Sequence, residues 1–519
     1  MHDLPEALLA DLRSKGIDLD LTLSILDDWN SGYYDDVRPV KASGVPEVDG
    51  RTVIATGPAV SLTVATDSAA TLLASFGIAL PGGLSSQRGE TMLDRAALAD
   101  IGERLLPFAA YGVLNGGSAT SYADRKKNQA YGAAAFSLLE AGFSQLEPLC
   151  RDRPKGLAPA YINPDGSPGA SFLLLKARAR LVALRAYRDR LGDPGRPFLP
   201  LFQMSSSGNN AELAVAFREL ESDPLIAALA SELGGTSASG ALAFATGVQP
   251  MIAAYTHSSE GKTKRIFDRA GGTDNSALAL PGGHGQSFRI LSKVFRDLHA
   301  SGTRWAWIGN VDNLGYLPDP VHLALLALSG QPAAFEFSYR TPLDVKGGIL
   351  VQTGAGARTI ADIGPAISFD EVSRLEAGGS SILFNCATGL FDLDWFVPRL
   401  DEIARKLPVR FTDQDKDAGR YSQAEQVTWE VASLLPSFLA LAVSKEERFI
   451  AAKLLAETLL TSGIGQGDPR LPAELAEATA ALHRGLVSRL SGAYGLRLEG
   501  GRWTAGVTAA AGAAIAGAT

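Results

Sequence analysis

The sequence predicts an α/β fold with a mixed, mostly parallel sheet flanked by helices, on three observations. Short apolar runs alternate with helix-like runs between about 97 and 410, several of the apolar runs end in Gly-, Asn- or Asp-rich turns, and the chain beyond 411 reads as long helices. Runs that are apolar throughout, rather than alternating, suit strands covered on both faces. With 519 residues, 46% of them hydrophobic and 20% charged, the chain can bury a large core spread over two or three segments.

The first 35 residues carry Leu8, Leu9, Leu12, Leu21, Leu23, Ile25 and Leu26 at helical spacing and read as a helical cover. Residues 36–96 mix Pro and Gly with short β-like runs at 52–55 and 61–64, so 1–96 is expected to be a helical and β elaboration on the core. A helix over 98–106 then leads into a strand over 108–114, closed by Gly116 and Gly117. Further strands are expected at 198–204, 248–255, 305–309, 333–339 and 381–385, with a helix over 211–220, making 97–410 the core. Residues 422–443, 445–462 and 472–490 are rich in Ala, Leu and Glu, which suggests a helical C-terminal domain over 411–519.

Charge and composition exclude several classes. A net charge of −8 argues against a bulk nucleic-acid binder, because such affinity comes mainly from Lys and Arg neutralising phosphates. Cys150 and Cys386 are too few for a disulfide framework or a four-cysteine metal site, and a reduced, cytoplasmic setting is expected. The N-terminus is acidic, with no basic-then-apolar leader, and no run approaches the roughly 20 apolar residues that would span a membrane.

In open sheets of this kind ligands sit beyond the carboxyl ends of the strands. There the chain places Leu114-Asn115-Gly116-Gly117-Ser118-Ala119-Thr120-Ser121, followed by Arg125-Lys126-Lys127. Glycines after a strand let the backbone approach a ligand and aim N–H groups at a phosphate or a base edge, although a tight turn alone also needs glycine. Pro281-Gly282-Gly283-His284-Gly285-Gln286 precedes a helix whose N-terminus favours anions; the alternative is a loop with an exposed histidine. In Asn310-Val311-Asp312-Asn313-Leu314-Gly315 the carboxylate of Asp312 suits Mg²⁺ shared with substrate phosphates, or a simple Asx turn. Lys346 in Asp344-Val345-Lys346-Gly347-Gly348 and Arg410 after Leu407-Pro408-Val409 add cations, several of which must converge in a nucleoside-triphosphate site. Gly261-Lys262-Thr263 imitates a phosphate loop, but Thr256 stands where its first glycine is needed.

Taken in order, these motifs resemble the UDP-sugar pyrophosphorylase family, especially the UTP–glucose-1-phosphate uridylyltransferases. The landmarks Leu-Asn-Gly-Gly-x-x-Thr-Ser, Gly-His-Gly, Asn-x-Asp-Asn-Leu-Gly and Asp-Val-Lys-Gly-Gly match 114–121, 283–285, 310–315 and 344–348. The resemblance implies a Rossmann-like, GT-A-like nucleotidyltransferase core acting on UTP and a sugar-1-phosphate with Mg²⁺, while composition and charge point to a soluble, cytoplasmic protein without nucleic-acid or membrane partners. The resemblance also implies Gly116 and Gly117 against the uracil, read with Met204 and Gln249, with Asn115 beside them as a substrate-binding residue; Gly283 and His284 near the nucleoside and sugar phosphate; Asn310 near the sugar; and Asp312 on the metal. Glucose is the expected sugar, because the N-acetylhexosamine branch usually carries asparagine in place of His284; galactose and N-acetylhexosamine are the alternatives. The family usually has a phosphate-binding lysine, often as Pro-Lys, roughly where this chain has Asn128; Lys127 is the expected substitute. Lys346 is carried over as a further cation, and Arg410 or Lys416 stands in for the lysine of Leu-Pro-Val-Lys. A catalytically silent UDP-sugar-binding protein is the rival that the missing lysine suggests.

Overall fold

The computed structural model describes residues 4–34, 40–129, 132–234, 244–341, 344, 347–354 and 356–505. Its centre is a sheet whose main path holds eight strands: β1 (Val53–Ala55), β2 (Ala109–Leu114), β3 (Leu201–Ser206), β4 (Phe244–Gln249), β5 (Trp305–Asn310), β6 (Ala333–Tyr339), β7 (Leu383–Asp392) and β8 (Leu439–Val443). Their spatial order is β1-β8-β6-β7-β5-β2-β3-β4. All neighbours are parallel except at β7, which runs against both β6 and β5. The fold class read from the sequence is therefore observed: a mixed, mostly parallel sheet between helical layers.

The layers follow from the pleat, which sends successive side chains to opposite faces. Ala109, Tyr111 and Val113 of β2, with Trp305 and Trp307 of β5, join one buried cluster with the helices Arg95–Leu105, Phe172–Leu191 and Pro320–Ser329. Ala110 and Leu114, with Ala306 and Ile308, join the opposite cluster with Phe295, Leu400 and Ile403 from the helices Ser292–Ala300 and Leu400–Lys406. In register, Leu114 lies beside Asn310 on one side and Met204 on the other, so three strand ends reach the same edge.

Four expectations are corrected. Residues 422–443 are not a helix: they form the strand Gly419–Glu425, a 3₁₀ stretch Thr428–Leu434 and β8. Their Ala and Leu content fits a doubly buried strand as well as a helix, Pro436 stops a helix from crossing the segment, and pairing of β8 with β1 and β6 decides the outcome. The run 445–462 is broken into Lys445–Arg448 and Leu455–Thr461. The strand expected over 248–255 is divided at Pro250, which cannot donate a ladder hydrogen bond, so β4 stays in the main sheet while Met251–Ala253 and Tyr255–Thr256 join two small sheets. Finally, β1 from the N-terminal region and β8 from beyond 411 both belong to the main sheet, and the helices of the C-terminal part begin at Lys445.

Under the strand-end edge lies a buried ion network. Arg448 donates to Glu336 of β6 and to Leu317 O (2.9 Å), while Glu336 also meets His322 Nδ1 at 3.1 Å. Attraction to Glu336 and Asp319 holds the guanidinium charged against its burial. Arg448 O accepts from Asn313 Nδ2 (2.9 Å), so the network also carries the turn that follows β5. Removing one member leaves a buried charge uncompensated: Arg448→Met is expected to cost about 3–5 kcal/mol in urea unfolding. A loss of under about 1 kcal/mol would show that the network is dispensable.

Candidate active site

The edge where β2, β3, β4 and β5 end assembles most of the residues singled out from the sequence. Asn115 is buried and ties the turn together: its N–H donates to Met204 O (2.8 Å), its Nδ2 to Gln203 Oε1 (3.1 Å), and its carbonyl accepts from Asn209 Nδ2 (2.9 Å). Its Oδ1 accepts from Gly156 N–H (3.1 Å), and a Cβ at Gly156 would come within 2.4 Å of that oxygen. With Asn115 pinned, Gly116 is half-buried beside Gln249 and Gly117 faces open space. Met204 itself is a core side chain packed with the apolar cluster of Leu114 and Phe202; it supports the turn through its carbonyl.

Gln249, at the end of β4, joins this turn to the Gly-His-Gly loop. Its Oε1 faces Gly116, and its Nε2 donates to Gly283 O (2.7 Å) and Gln286 Oε1 (3.0 Å). Gly283 has φ +80° and lies so close to Gln426 that a Cβ would sit 2.3 Å from its carbonyl oxygen, so only glycine fits. Gln426 straps the loop from behind, with its N–H on Gly282 O (3.0 Å) and its carbonyl accepting from Gly285 N–H (2.9 Å).

Two residues further on, Thr428 orients the histidine. Its N–H donates to His284 Nδ1 (3.1 Å) and its hydroxyl to His284 O (2.8 Å). Nδ1 is therefore an acceptor and the ring proton resides on Nε2, whose N–H remains available to an anion. Desolvation lowers the imidazole from its ordinary 6.5 to about 4, so the ring is neutral at physiological pH. An unfolded histidine takes up its proton near 6.5 and this one only near 4, so the unfolded state binds more protons in that window and stability falls as pH drops through it. Relative to His284→Asn, the wild type is expected to lose no more than about 3 kcal/mol between those pH values. Parallel pH–stability curves for the two proteins would refute the assignment.

On the other side of the turn, Val311 N–H donates to Leu114 O (3.2 Å), which sets the loop after β5 directly beside Asn115. Asn310 is half-buried at the strand end and Asp312 follows it. Asp312 is paired with a lysine that the motif comparison had not selected, Lys155. The two side chains are 14% and 17% exposed, enough to exclude a solvated surface pair. Lys155 Nζ also donates to Ala452 O (2.7 Å) and lies 4.9 Å from the Tyr122 ring centre, while its backbone N–H donates to Gly117 O (3.1 Å). Lys155 thus touches both the glycine turn and the acidic loop.

The chain reaches Lys155 by an excursion. Ala119 N–H donates to Arg153 O (2.9 Å) and Ser118 bridges to Pro154, closing a detour that contains the helices Arg125–Asn128 and Ala133–Cys150. Lys127 sits on this detour, exposed, with Nζ on Ser121 Oγ (2.8 Å). Asn128 is buried in a structural role: Oδ1 accepts from Ala456 N–H (2.7 Å) and Nδ2 donates to Tyr122 O (2.9 Å). Lys127, expected as the turn's phosphate lysine, thus lies on the detour, whereas Lys155 of Pro154-Lys155-Gly156 is the lysine placed between Gly117 and Asp312.

Lys346 lies outside the described residues. Arg410, on the strand Arg410–Lys416, is paired with Glu430 and lies 3.8 Å from Asp362; Lys416 is exposed at the far end of the same strand. Among the described residues, Lys127 meets only the last residue of the Leu114–Ser121 motif, and no hydrogen bond or ion pair joins Lys127, Arg410 or Lys416 to Gly116, Gly117 or Asp312. Asn209 and Thr428 are supporting residues with no motif of their own, revealed only by their hydrogen bonds, while Gln286 closes the Pro281–Gln286 motif and holds Gln249.

Residues 260–450 match the family described as UTP--glucose-1-phosphate uridylyltransferase, a stretch that holds the Gly-His-Gly loop, Asp312 and Arg410. No curated protein matches the chain by sequence. Among solved structures, UDP-glucose phosphorylase from Trypanosoma brucei is similar over 91% of this chain and 81% of its own, with a TM-score of 0.53 at 17% identity. The uridine diphosphate N-acetylglucosamine pyrophosphorylase from the same organism, in complex with an inhibitor, is similar over 93% and 79%, with a TM-score of 0.53 at 16% identity. A variant UDP-glucose pyrophosphorylase from Leishmania major, in complex with UDP-glucose, gives 0.53 at 15% identity over 89% and 79%. At such identities the likeness is one of fold. The chain is thus similar to the UDP-sugar pyrophosphorylases in sequence over residues 260–450 and in fold over most of its length. Among the described residues no helix is long and apolar enough to cross a membrane.

Proposed function

We propose that this protein is a UTP–hexose-1-phosphate uridylyltransferase, with glucose-1-phosphate as its sugar substrate, UDP-glucose as product and pyrophosphate as leaving group. The observation that carries the reading is the meeting of Gly116-Gly117, Lys155 and Asp312 at the ends of two adjacent parallel strands, with His284 tied to the same turn through Gln249. A sugar-1-phosphate oxygen would form a bond to the α-phosphorus of UTP as the bond from that phosphorus to the bridging oxygen breaks. Little covalent chemistry falls to the protein, so holding the groups in line and offsetting charge dominate.

In this reading the backbone at Gly116 and Gly117 admits the uracil, and Gln249 holds that turn against the Gly-His-Gly loop. Neutral His284 offers Nε2–H to a phosphate oxygen, and Asn310 is placed to meet the sugar. Lys155 leaves Asp312 for the phosphates once substrate arrives, supplying the cation at the turn. Asp312, a hard oxygen donor beside the glycine turn, would hold Mg²⁺ as a single carboxylate with substrate phosphates completing its coordination. When bound there, the metal supplies further neutralisation of phosphate charge. Lys155 also removes the motive for the silent-binder reading, which rested on a missing lysine.

The test is pyrophosphate release from UTP with Mg²⁺ and glucose-, galactose- or N-acetylglucosamine-1-phosphate, with ATP, CTP, GTP and dTTP as controls. Release with UTP and glucose-1-phosphate well above the other pairs is expected. Release only with another sugar reassigns the substrate, and UDP-glucose binding without release with any pair overturns the enzymatic reading.

A further inference from the structure

A cavity of about 380 Å³ lies behind the Gly-His-Gly loop, on the far side of Gln426 from His284. One wall is the face of the helix Leu19–Asn30 that presents Leu21, Ile25 and Asp28; the other is the helix Leu400–Lys406, with Asp401 and Arg405; Arg289 closes the rim. The volume suits a small metabolite. Its lining mixes Leu21, Ile25 and Val409 with polar groups, and two of its guanidinium groups stand without an ion-pair or hydrogen-bond partner among the described residues. Arg289 is exposed, and Arg405 only rests 5.5 Å from the centre of the Tyr33 ring.

The carboxylates are placed differently. Asp401 is held by Arg296 at 3.0 Å, and Asp28 accepts only a long 3.5 Å bond from the Tyr34 hydroxyl. The lining thus carries two arginines without such partners and two carboxylates, of which Asp401 is already paired with Arg296. Guanidinium pairs match phosphate oxygens, and a carboxylate with spare acceptor capacity matches hydroxyl donors. From this geometry we infer an effector site for a phosphate monoester of a sugar or similar polyol, with the phosphate on Arg289 and Arg405 and a hydroxyl on Asp28.

Occupancy has a physical route to the active site. Gln426 lines the cavity, anchors its side chain on Leu407 O (2.8 Å), and grips Gly282 and Gly285 through its backbone. Thr428, which orients His284, is two residues along the same segment. A ligand that moves or stiffens Gln426 changes the hold on the histidine, and any such coupling must be reciprocal in binding. This coupling rests on the proposed function, because it is read through UDP-glucose affinity; binding at the cavity does not.

The experiment is calorimetry on the full chain with inorganic phosphate, glucose-6-phosphate, fructose-6-phosphate and glycerol-3-phosphate, first with UDP-glucose and Mg²⁺ filling the cleft, then without. At least one ester is expected to bind tenfold or more tightly than inorganic phosphate, with that affinity reduced at least tenfold in Arg289→Gln/Arg405→Gln and in the cavity-filling Ala404→Trp, but retained in Lys155→Met. The same ester is expected to shift the Kd for UDP-glucose at least threefold. No binding at millimolar ester, or binding unchanged by both cavity variants, overturns the site. Equal affinity for inorganic phosphate overturns the polyol assignment, and an unmoved UDP-glucose Kd overturns the effector role. Absence of pyrophosphate release while ester binding persists in wild type and is lost in the cavity variants counts against the proposed reaction alone.

Discussion

Lys155→Met is expected to lower the rate of pyrophosphate release by on the order of 10²–10³, while Lys127→Met stays within about threefold of wild type. The asymmetry follows from placement. Lys127 is exposed on the detour and bonded to one serine hydroxyl, whereas Lys155 donates its backbone N–H to Gly117 and its ammonium to Asp312. In the proposed reaction a cation at that position would offset phosphate charge as it shifts in the transition state. Single-turnover rates for both variants, with thermal melts to show that each is folded, make the comparison. Loss in Lys127→Met with Lys155→Met near normal would restore the sequence-based register and sink the one proposed from the structure.

Asp312→Ala is expected to show a loss of similar size, on the order of 10²–10³, together with an altered Mg²⁺ requirement. The double variant with Lys155→Met gives the sharper result. The two side chains form one pair in the free protein, so each single change already disturbs the other, and their combined loss is expected to fall well short of the product of the separate losses. Full multiplicativity would mean that the two act independently. Near-normal turnover of Asp312→Ala at limiting Mg²⁺ would remove the carboxylate from the metal.

How far this site was readable depends on the range of the interactions that build it. Gly116-Gly117, Gly283-His284-Gly285 and Asn310 to Gly315 are contiguous motifs whose backbone demands are local, and each occurs in the structure at a strand end or against one. Thr428 lies 144 residues from His284, and nothing around it announces a partner for an imidazole nitrogen. Lys155 was hidden for a different reason. It stands far along the chain from the glycine turn, and only a helical detour closed by a backbone bond from Ala119 to Arg153 brings it back beside Gly117. The expected helix at 422–443 failed because Ala- and Leu-rich composition is shared by buried strands and helices, and the pairing of β8 with β1 and β6 lies outside any local window.

Short-range chemistry therefore wrote the alternation of strands and helices, the glycine turns and the acidic loop into contiguous residues, because backbone freedom and burial periodicity act over a few positions. Which lysine meets Asp312, which tautomer His284 holds, and which face of the chain's beginning closes a cavity behind it were settled by contacts between segments tens to hundreds of residues apart. Those contacts depend on how the sheet orders its strands, a property of the assembled layers that no single stretch carries.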